Sequence, residues 1–242
     1  MQRQRTTRRT QVEASHLARS VVESLGGRYS AELGIDVDGG EDEIERWALA
    51  AMLFGGRISA NVAERTFATF EDAGVHSLAE AGRVDSARLV ELLDAGGYAR
   101  YDFQTAGRLQ AIADTLETEH GGRASAALGG SADDTEAALE ALPGWGPVTV
   151  ALFLRELRGV HHGIDPPVDA RALQAGAHLG LLAADSRDAL AGLRDLASRA
   201  QLDVRDLEAA LVRLSLAHRR TMAECPGGAQ CTLLARLASA AC

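Results

Sequence analysis

Hydrophobic positions along the 242-residue chain recur mostly with the 3.6-residue period of an α-helix, and alternating strand patterns are scarce. The stretch EDEIERWALAAMLF places Ile44, Trp47, Ala48 and Ala51 on one face. Its acidic residues stand at the N-terminus, where the helix dipole favours negative charge. Similar amphipathic stretches follow as far as VRDLEAALVRLSLAHRR near the C-terminus. The pattern predicts an all-α protein.

A stiff turn interrupts this helical pattern in LPGWGPVTVALFLREL, residues 142–157. Gly144 and Gly146 allow a tight turn and a close approach of the backbone to a ligand. Pro147 suits the first turn of a helix, where its missing N–H costs nothing. Helix, L-P-G-x-G-P and helix together predict a helix-hairpin-helix, whose second helix offers free N–H groups to a phosphate. A tight turn between two packed helices of any helical protein is the alternative.

A second feature lies downstream, where PPVDARALQAGAHLGL places Asp169 at a predicted helix start, 21 residues after Val148. The hairpin, its helix, a short linker and V-D-x-x at the next helix closely resemble the endonuclease III superfamily of helix-hairpin-helix DNA glycosylases. The resemblance extends upstream, in order, from about residue 41 to 181. WALAAMLFGGRIS resembles the family's minor-groove plug segment, LLDAGGYARYDFQTAGRLQAIADTL its Gly-x-Tyr helix pair, and TEAALEALPGWGPVT the helix entering the hairpin.

The resemblance implies two helical lobes with a central DNA-binding cleft. A six-helix lobe would span 46–160 and end in the helix-hairpin-helix. The second lobe would combine 16–45 with 161–242, and 1–15 would form a basic flexible tail.

The resemblance also assigns site residues. It makes Asp169 the catalytic carboxylate and gives the carbonyls of Glu140, Leu142 and Trp145 to a monovalent cation, Na⁺ or K⁺. It implies that the hairpin amides of Gly144, Gly146 and Val148 hold a DNA phosphate. The full set of residues that it implies in contact with DNA is Gly144, Trp145, Gly146, Val148, Thr149, Arg57 and Tyr98.

A carboxylate at position 169 suits glycosidic bond cleavage. Breaking an N-glycosidic bond develops positive charge on the sugar, and a fixed anion stabilises that charge or deprotonates the attacking water. The alternative for Asp169 is a helix N-cap, which is a common role for aspartate.

Alternatives also exist for other candidate residues. Arg57 can be an exposed loop residue, and the pair His161 and His162 can be a solvated loop. The aromatic residues Tyr98, Tyr101 and Trp47 can stack on a base or pack in the core.

All 25 basic residues are arginine, and the chain contains no lysine. Family members with strand-cleaving lyase activity carry a lysine where this chain has Val148, and no other side-chain amine can form the Schiff base. The resemblance therefore implies a monofunctional glycosylase that uses water, or a protein that has lost catalysis.

Cysteine usage departs from the family as well. Many relatives bind an iron–sulfur cluster through four C-terminal cysteines, whereas this chain has Cys225, Cys231 and Cys242. His218 completes four candidate ligands, but the spacings match no known metal motif. We expect no iron–sulfur cluster, no required cofactor and an eroded cluster site.

The formal net charge is −9, and Arg3, Arg5, Arg8 and Arg9 contribute +4, so the rest of the chain carries −13. Seven acidic residues fall in the stretch 31–45, which contains no basic residue. This balance argues against DNA binding by bulk charge but allows a grip on a few phosphates through backbone amides. With no membrane span or secretory signal, we expect a cytoplasmic monomer whose partner is double-stranded DNA with a damaged or mispaired base.

Three functions from different classes remain. The first is a DNA glycosylase of base excision repair, the second a non-catalytic DNA-binding protein that keeps the glycosylase fold, and the third a helical protein-interaction module. The carboxylate of Asp169 favours the first, whereas the acidic charge and the missing lysine favour the second.

Overall fold

The structure is a computed structural model that describes residues 2–56, 58–98, 101–160, 163–183 and 188–240; at 2–10, 219, 220 and 240 it describes the backbone alone. Within these ranges the chain forms α-helices and short 3₁₀ turns and no β-strand, so the predicted all-α class is confirmed. No helix in the described ranges is long and apolar enough to cross a membrane.

Thirteen α-helices lie in the described ranges. In chain order they are α1 (Gln2–Leu25), α2 (Tyr29–Glu32), α3 (Glu41–Phe54), α4 (Ala60–Asp72), α5 (Leu78–Arg83), α6 (Ser86–Gly96), α7 (Asp102–Glu119), α8 (Ala132–Glu140), α9 (Pro147–Glu156), α10 (Ala170–His178), α11 (Ala189–Ala200), α12 (Val204–His218) and α13 (Thr232–Ala240).

The chain divides into two compact units. Residues 33–166 form one, called here the mid-chain unit, and residues 1–32 with 167–242 form the other, called the terminal unit. The lobe boundaries expected from the resemblance, at 46 and 160, lie inside the mid-chain unit.

The mid-chain unit is built around α3, which is apolar on nearly every side. Every residue from Trp47 to Leu53 is buried. The indole Nε1 of Trp47 donates a hydrogen bond of 3.1 Å to the carbonyl of Phe153, which joins α3 to α9. Trp47 is therefore a core residue. Helix α3 also packs against α4 and α5, while α6 packs against α4 and α7.

The terminal unit packs α1, α10 and α11 against α12. Its core includes Ala18, Val21, Leu193, Leu207 and Leu211, each fully buried. On α1 the inward positions Ala14, Leu17, Ala18, Val21, Val22 and Leu25 recur every three or four residues, as one face of a helix requires.

The N-terminal stretch differs from its prediction. Residues 1–15 are expected to form a flexible tail, but the backbone from Gln2 onward belongs to α1. Residues 2–25 contain no glycine or proline to end a helix, and the core contacts of Ala18 and Val21 stabilise the helix from its C-terminal half.

The acidic stretch 31–45 is paired both locally and over long sequence distances. Within the mid-chain unit Arg123 lies 2.8 Å from a carboxylate oxygen of Asp42, and Arg46 lies 2.8 Å from Glu43. Both carboxylate oxygens of the buried Glu45 accept hydrogen bonds, from the N–H groups of Ala124 and Ser125. Much of this negative charge is therefore part of the fold.

Candidate functional site

The turn between α8 and α9 is compact and held by its own backbone. The N–H of Trp145 donates to the carbonyl of Leu142 at 2.9 Å and closes a four-residue turn. Gly144 has φ +84°, a left-handed conformation that side chains rarely adopt. The order Pro143–Gly144 at the two central positions is typical of a type II turn. Gly144 makes the tight turn for the predicted reason, whereas Gly146 has φ −98° and does not need to be glycine for its backbone conformation.

Helix α9 begins directly after this turn. Gly146 is the N-cap in an extended conformation, Pro147 is the first helical residue, and the N–H groups of Thr149 and Val150 both donate to the Gly146 carbonyl. In the described part of the chain, the N–H groups of Gly144, Gly146 and Val148 donate no hydrogen bond. Unpaired donors at the positive end of a helix dipole attract an anion.

The outer surface of this turn is open. The side chain of Val148 is 58% exposed. A Cβ added at Gly146 would meet no heavy atom within 4 Å among the described residues. The turn is therefore open to a ligand at these two positions.

Two other residues assigned to DNA contact are buried. Trp145 is 3% exposed and packs edge-to-face on Phe153, with ring centroids 5.1 Å apart. Thr149 is 2% exposed, and its N–H is already bonded to Gly146. Both side chains hold the turn onto the unit, so a contact of either side chain with DNA stays a prediction that this geometry does not favour.

The carbonyl groups assigned to a monovalent cation are largely free of hydrogen bonds, and the cation itself stays a prediction. In the described residues the carbonyls of Glu140 and Trp145 accept no hydrogen bond, and that of Leu142 accepts one, from Trp145. Carbonyl oxygens with free lone pairs at a helix end are suitable ligands for a hard cation.

A polar pocket of about 360 Å³ lies beside the turn, within the mid-chain unit. It is lined by the C-terminal end of α3, by Tyr98 and Tyr101, by α7 and by Gly144. Tyr98 is 3% exposed, its hydroxyl donates to the carbonyl of Leu53 at 2.8 Å, and burial raises its pKa to about 12. Tyr98 thus fixes the end of α3, and a stacking role for its ring stays a prediction.

Arg108, on α7, is a candidate that the sequence did not single out. It lines the pocket, and its Cδ would be 2.9 Å from a Cβ placed at Gly144. In the described residues it forms no ion pair with a carboxylate, unlike Arg46, Arg123 and Arg158. The sequence contains 25 arginines, and only the fold shows that this one lies beside Gly144 without a carboxylate partner among the described residues.

Asp169 lies in the terminal unit, half-buried at the start of α10. Its Oδ1 accepts a hydrogen bond of 2.7 Å from the N–H of Arg171, so it is the N-cap of α10. Its own N–H donates to Oε1 of Glu208 at 2.9 Å. Glu208 is fully buried on α12. The cap interpretation is confirmed, and the catalytic interpretation stays a prediction.

Glu208 is a positioning residue that the sequence did not reveal. It is one of the two acidic residues of the amphipathic helix α12, beside Asp206, and burial distinguishes it from that neighbour. Arg158 is a similar case in the mid-chain unit: its side chain is 1% exposed and donates to Asp165 at 2.7 Å and to the Pro166 carbonyl at 2.6 Å. These bonds anchor the segment that leads towards Asp169.

Some predicted residues lie outside the described ranges, namely Arg57, His161, His162 and Cys242.

Comparison of the chain with protein-family models, with curated proteins and with solved structures finds no match.

Proposed function

We propose that this protein is a monofunctional DNA glycosylase that hydrolyses the N-glycosidic bond of a flipped, damaged or mispaired base. The observation that carries the proposal is the turn between α8 and α9, where the unpaired N–H groups of Gly146 and Val148 lie at an open helix N-terminus. Such a site fits a DNA phosphate in both charge and shape.

In this proposal the turn holds one phosphate of the damaged strand, and Arg108 adds a cationic contact beside it. The carbonyls of Glu140, Leu142 and Trp145 would hold a monovalent cation, which fixes the turn and adds positive charge near the phosphate. These contacts carry no sequence information, since they read the backbone alone.

Asp169 supplies the chemistry. As the glycosidic bond breaks, positive charge develops on the sugar ring, and a nearby carboxylate lowers the energy of that transition state. The hydrogen bond from Arg171 to Oδ1 leaves the negative charge of an ionised carboxylate in place. Capping therefore does not prevent the carboxylate from acting on a substrate. Because no lysine is present, water is the nucleophile and the product is an intact abasic strand.

The second candidate is a non-catalytic DNA-binding protein. The cap of α10 favours it, because the hydrogen bond from Arg171 by itself accounts for an aspartate at position 169. In that case the turn binds phosphate and no base is released.

A panel of duplexes tests the proposal. Each duplex carries one damaged or mispaired base, is incubated with the full chain, and is then divided into an alkali-treated and an untreated half. We expect strand breaks only after alkali and only for some duplexes. Tight binding to all duplexes with no alkali-labile product supports the second candidate. Neither binding nor cleavage rejects both and leaves the protein-interaction module.

A further inference from the structure

Four metal-binding side chains converge in the terminal unit. His178 ends α10, His218 ends α12, and Cys225 and Cys231 flank the loop that follows. One ligand atom from each residue lies within 4.8 Å of all the others. Nε2 of His218 lies 3.1 Å from Sγ of Cys231. From the sequence, Cys225, Cys231 and His218 are candidate ligands whose spacing argues against a metal site, and His178 is not among them.

The spacing of these atoms matches a single metal ion. In a tetrahedral zinc site, Zn–S distances of about 2.3 Å and Zn–N distances of about 2.0–2.1 Å place the ligand atoms about 3.3–3.8 Å apart. Shifts of about 1 Å or less, outward for the His218–Cys231 pair and inward for the widest pairs, reach that geometry. A four-iron cluster binds each thiolate to a different iron atom, so it needs four ligands that are further apart, and it is held by cysteines. Two imidazoles and two thiolates within 4.8 Å fit a mononuclear site better.

The surroundings of the cluster also fit a metal site. Nε2 of His178 is buried and has no hydrogen-bond partner among the described residues. A buried polar atom without a partner is costly, and a bound ion is one partner that would remove that cost. His218 is 4% exposed and Cys231 is 1% exposed.

Groups around the ligands hold them in place. The N–H of Thr232 and its hydroxyl lie 3.3 and 3.4 Å from Sγ of Cys225. Donors of this kind orient metal-bound thiolates. Gly227 has φ +70°, and any Cβ there would collide with the carbonyl of His178, so only glycine lets the loop approach the end of α10.

We propose that His178, His218, Cys225 and Cys231 bind one Zn²⁺ ion with a structural role. Four protein ligands leave no position for water or substrate, which is the arrangement of structural zinc. Binding releases one proton from each thiol, so Zn²⁺ and two thiolates give a neutral centre. The ion joins the loop of 219–231 to the C-terminal ends of α10 and α12. This proposal does not depend on any activity towards DNA.

Metal analysis of the purified full chain tests the site directly. The chain is expressed with added zinc, passed through a desalting column, and measured for zinc, iron and acid-labile sulfide. We expect about one zinc per chain and no sulfide. Iron and sulfide in equal amounts would overturn the proposal, and so would less than about 0.1 zinc per chain from a protein with full helical circular dichroism.

Ligand variants identify the donors. His178→Ala and Cys231→Ser should each lower zinc content at least fivefold, whereas Cys242→Ser and the exposed His76→Ala should leave it at one. Full zinc retention in His178→Ala would show that His178 is not a zinc ligand and would overturn the assignment. If the ligand variants fail to fold, cobalt replacement in the wild-type chain decides instead. Visible bands of tetrahedral Co²⁺ with thiolate charge transfer support the site, and their absence overturns it.

Discussion

A single side chain, Asp169, caps helix α10 through Oδ1, and the proposed chemistry requires the same carboxylate to stabilise positive charge on a sugar. Asp169→Asn separates the two roles, because asparagine is an equally good N-cap but carries no charge. Base release under single-turnover conditions should fall by about 100-fold or more. DNA affinity should stay the same or rise, because a carboxylate near phosphates repels them.

A second capping aspartate provides the control. Asp85 caps α6 by accepting from the N–H of Ala87 at 2.9 Å. Asp85→Asn makes the same chemical change in the mid-chain unit and should leave base release unchanged. Equal release by the wild type and Asp169→Asn would limit Asp169 to its capping role.

Val148 is the residue at which a lyase activity can be installed. The wild type has no lysine, so it should give no borohydride-trapped complex with abasic DNA. Val148→Lys should give such a complex and should then nick the strand. The side chain is 58% exposed, so the new amine keeps an ordinary pKa in the free protein. Desolvation by bound DNA would favour the neutral form of the amine, which is the form that attacks the sugar.

Val12→Lys is a matched control for this experiment, because Val12 is 52% exposed on α1. It adds the same amine at a similar exposure and should not trap abasic DNA. A folded Val148→Lys variant that binds abasic DNA and never traps would show that position 148 does not approach the sugar.

At the scale of elements, the α8–α9 turn is expected to grip DNA through its backbone. Gly146→Arg places a bulky side chain over the unpaired N–H groups. It should fold normally, because φ at Gly146 is −98° and the space around its Cβ is open. DNA affinity, measured by fluorescence anisotropy at matched salt, should fall by at least tenfold although a positive charge has been added.

Gly192→Arg tests the effect of the charge alone, since Gly192 is an exposed position on α11. Its affinity should equal or slightly exceed that of the wild type. Unchanged binding by Gly146→Arg would place the turn outside the interface.

Arg108 is expected to add a phosphate contact beside the same turn. Arg108→Ala should weaken binding about fivefold at low salt and reduce the slope of log K against log salt by about 0.9, as for the loss of one phosphate contact. The control is Arg88→Ala, since Arg88 pairs with Glu91 on the exposed face of α6 at 2.9 Å. Equal salt slopes for the wild type and Arg108→Ala would contradict a phosphate contact.

Elements formed by local chemistry could be predicted from the sequence, and those formed by distant contacts could not. The α8–α9 turn follows from Pro143, Gly144, Gly146 and Pro147, whose backbone preferences are local. The role of Asp169 as a cap is local too. By contrast, the convergence of His178 with His218 depends on the packing of α10 against α12. The helix at the N-terminus could not be predicted, because the charge of this stretch suggested a tail. The apolar face of α1 packs only against residues that come after 188 in the chain.

At the scale of the whole molecule, the net charge of −9 limits how DNA can be held. If backbone amides and Arg108 carry the grip, few counterions are displaced. The slope of log K against log salt should then be no steeper than about −3, where each neutralised phosphate contributes about −0.9. Equilibrium binding at several salt concentrations measures it. A slope steeper than about −5, which needs more than five neutralised phosphates, would contradict the proposal and would require further cations such as Arg3, Arg5, Arg8 and Arg9.

The division of the chain into two units has a consequence for its biosynthesis. The mid-chain unit is continuous from 33 to 166, so it can fold as soon as it leaves the ribosome. Helix α1 cannot bury its apolar face until α11 and α12 have been made, more than 160 residues later. At about 5–20 residues per second, that wait lasts on the order of ten seconds or more. During this time the face of Leu17, Val21 and Leu25 is open to chaperones, and α1 is made early but buried late.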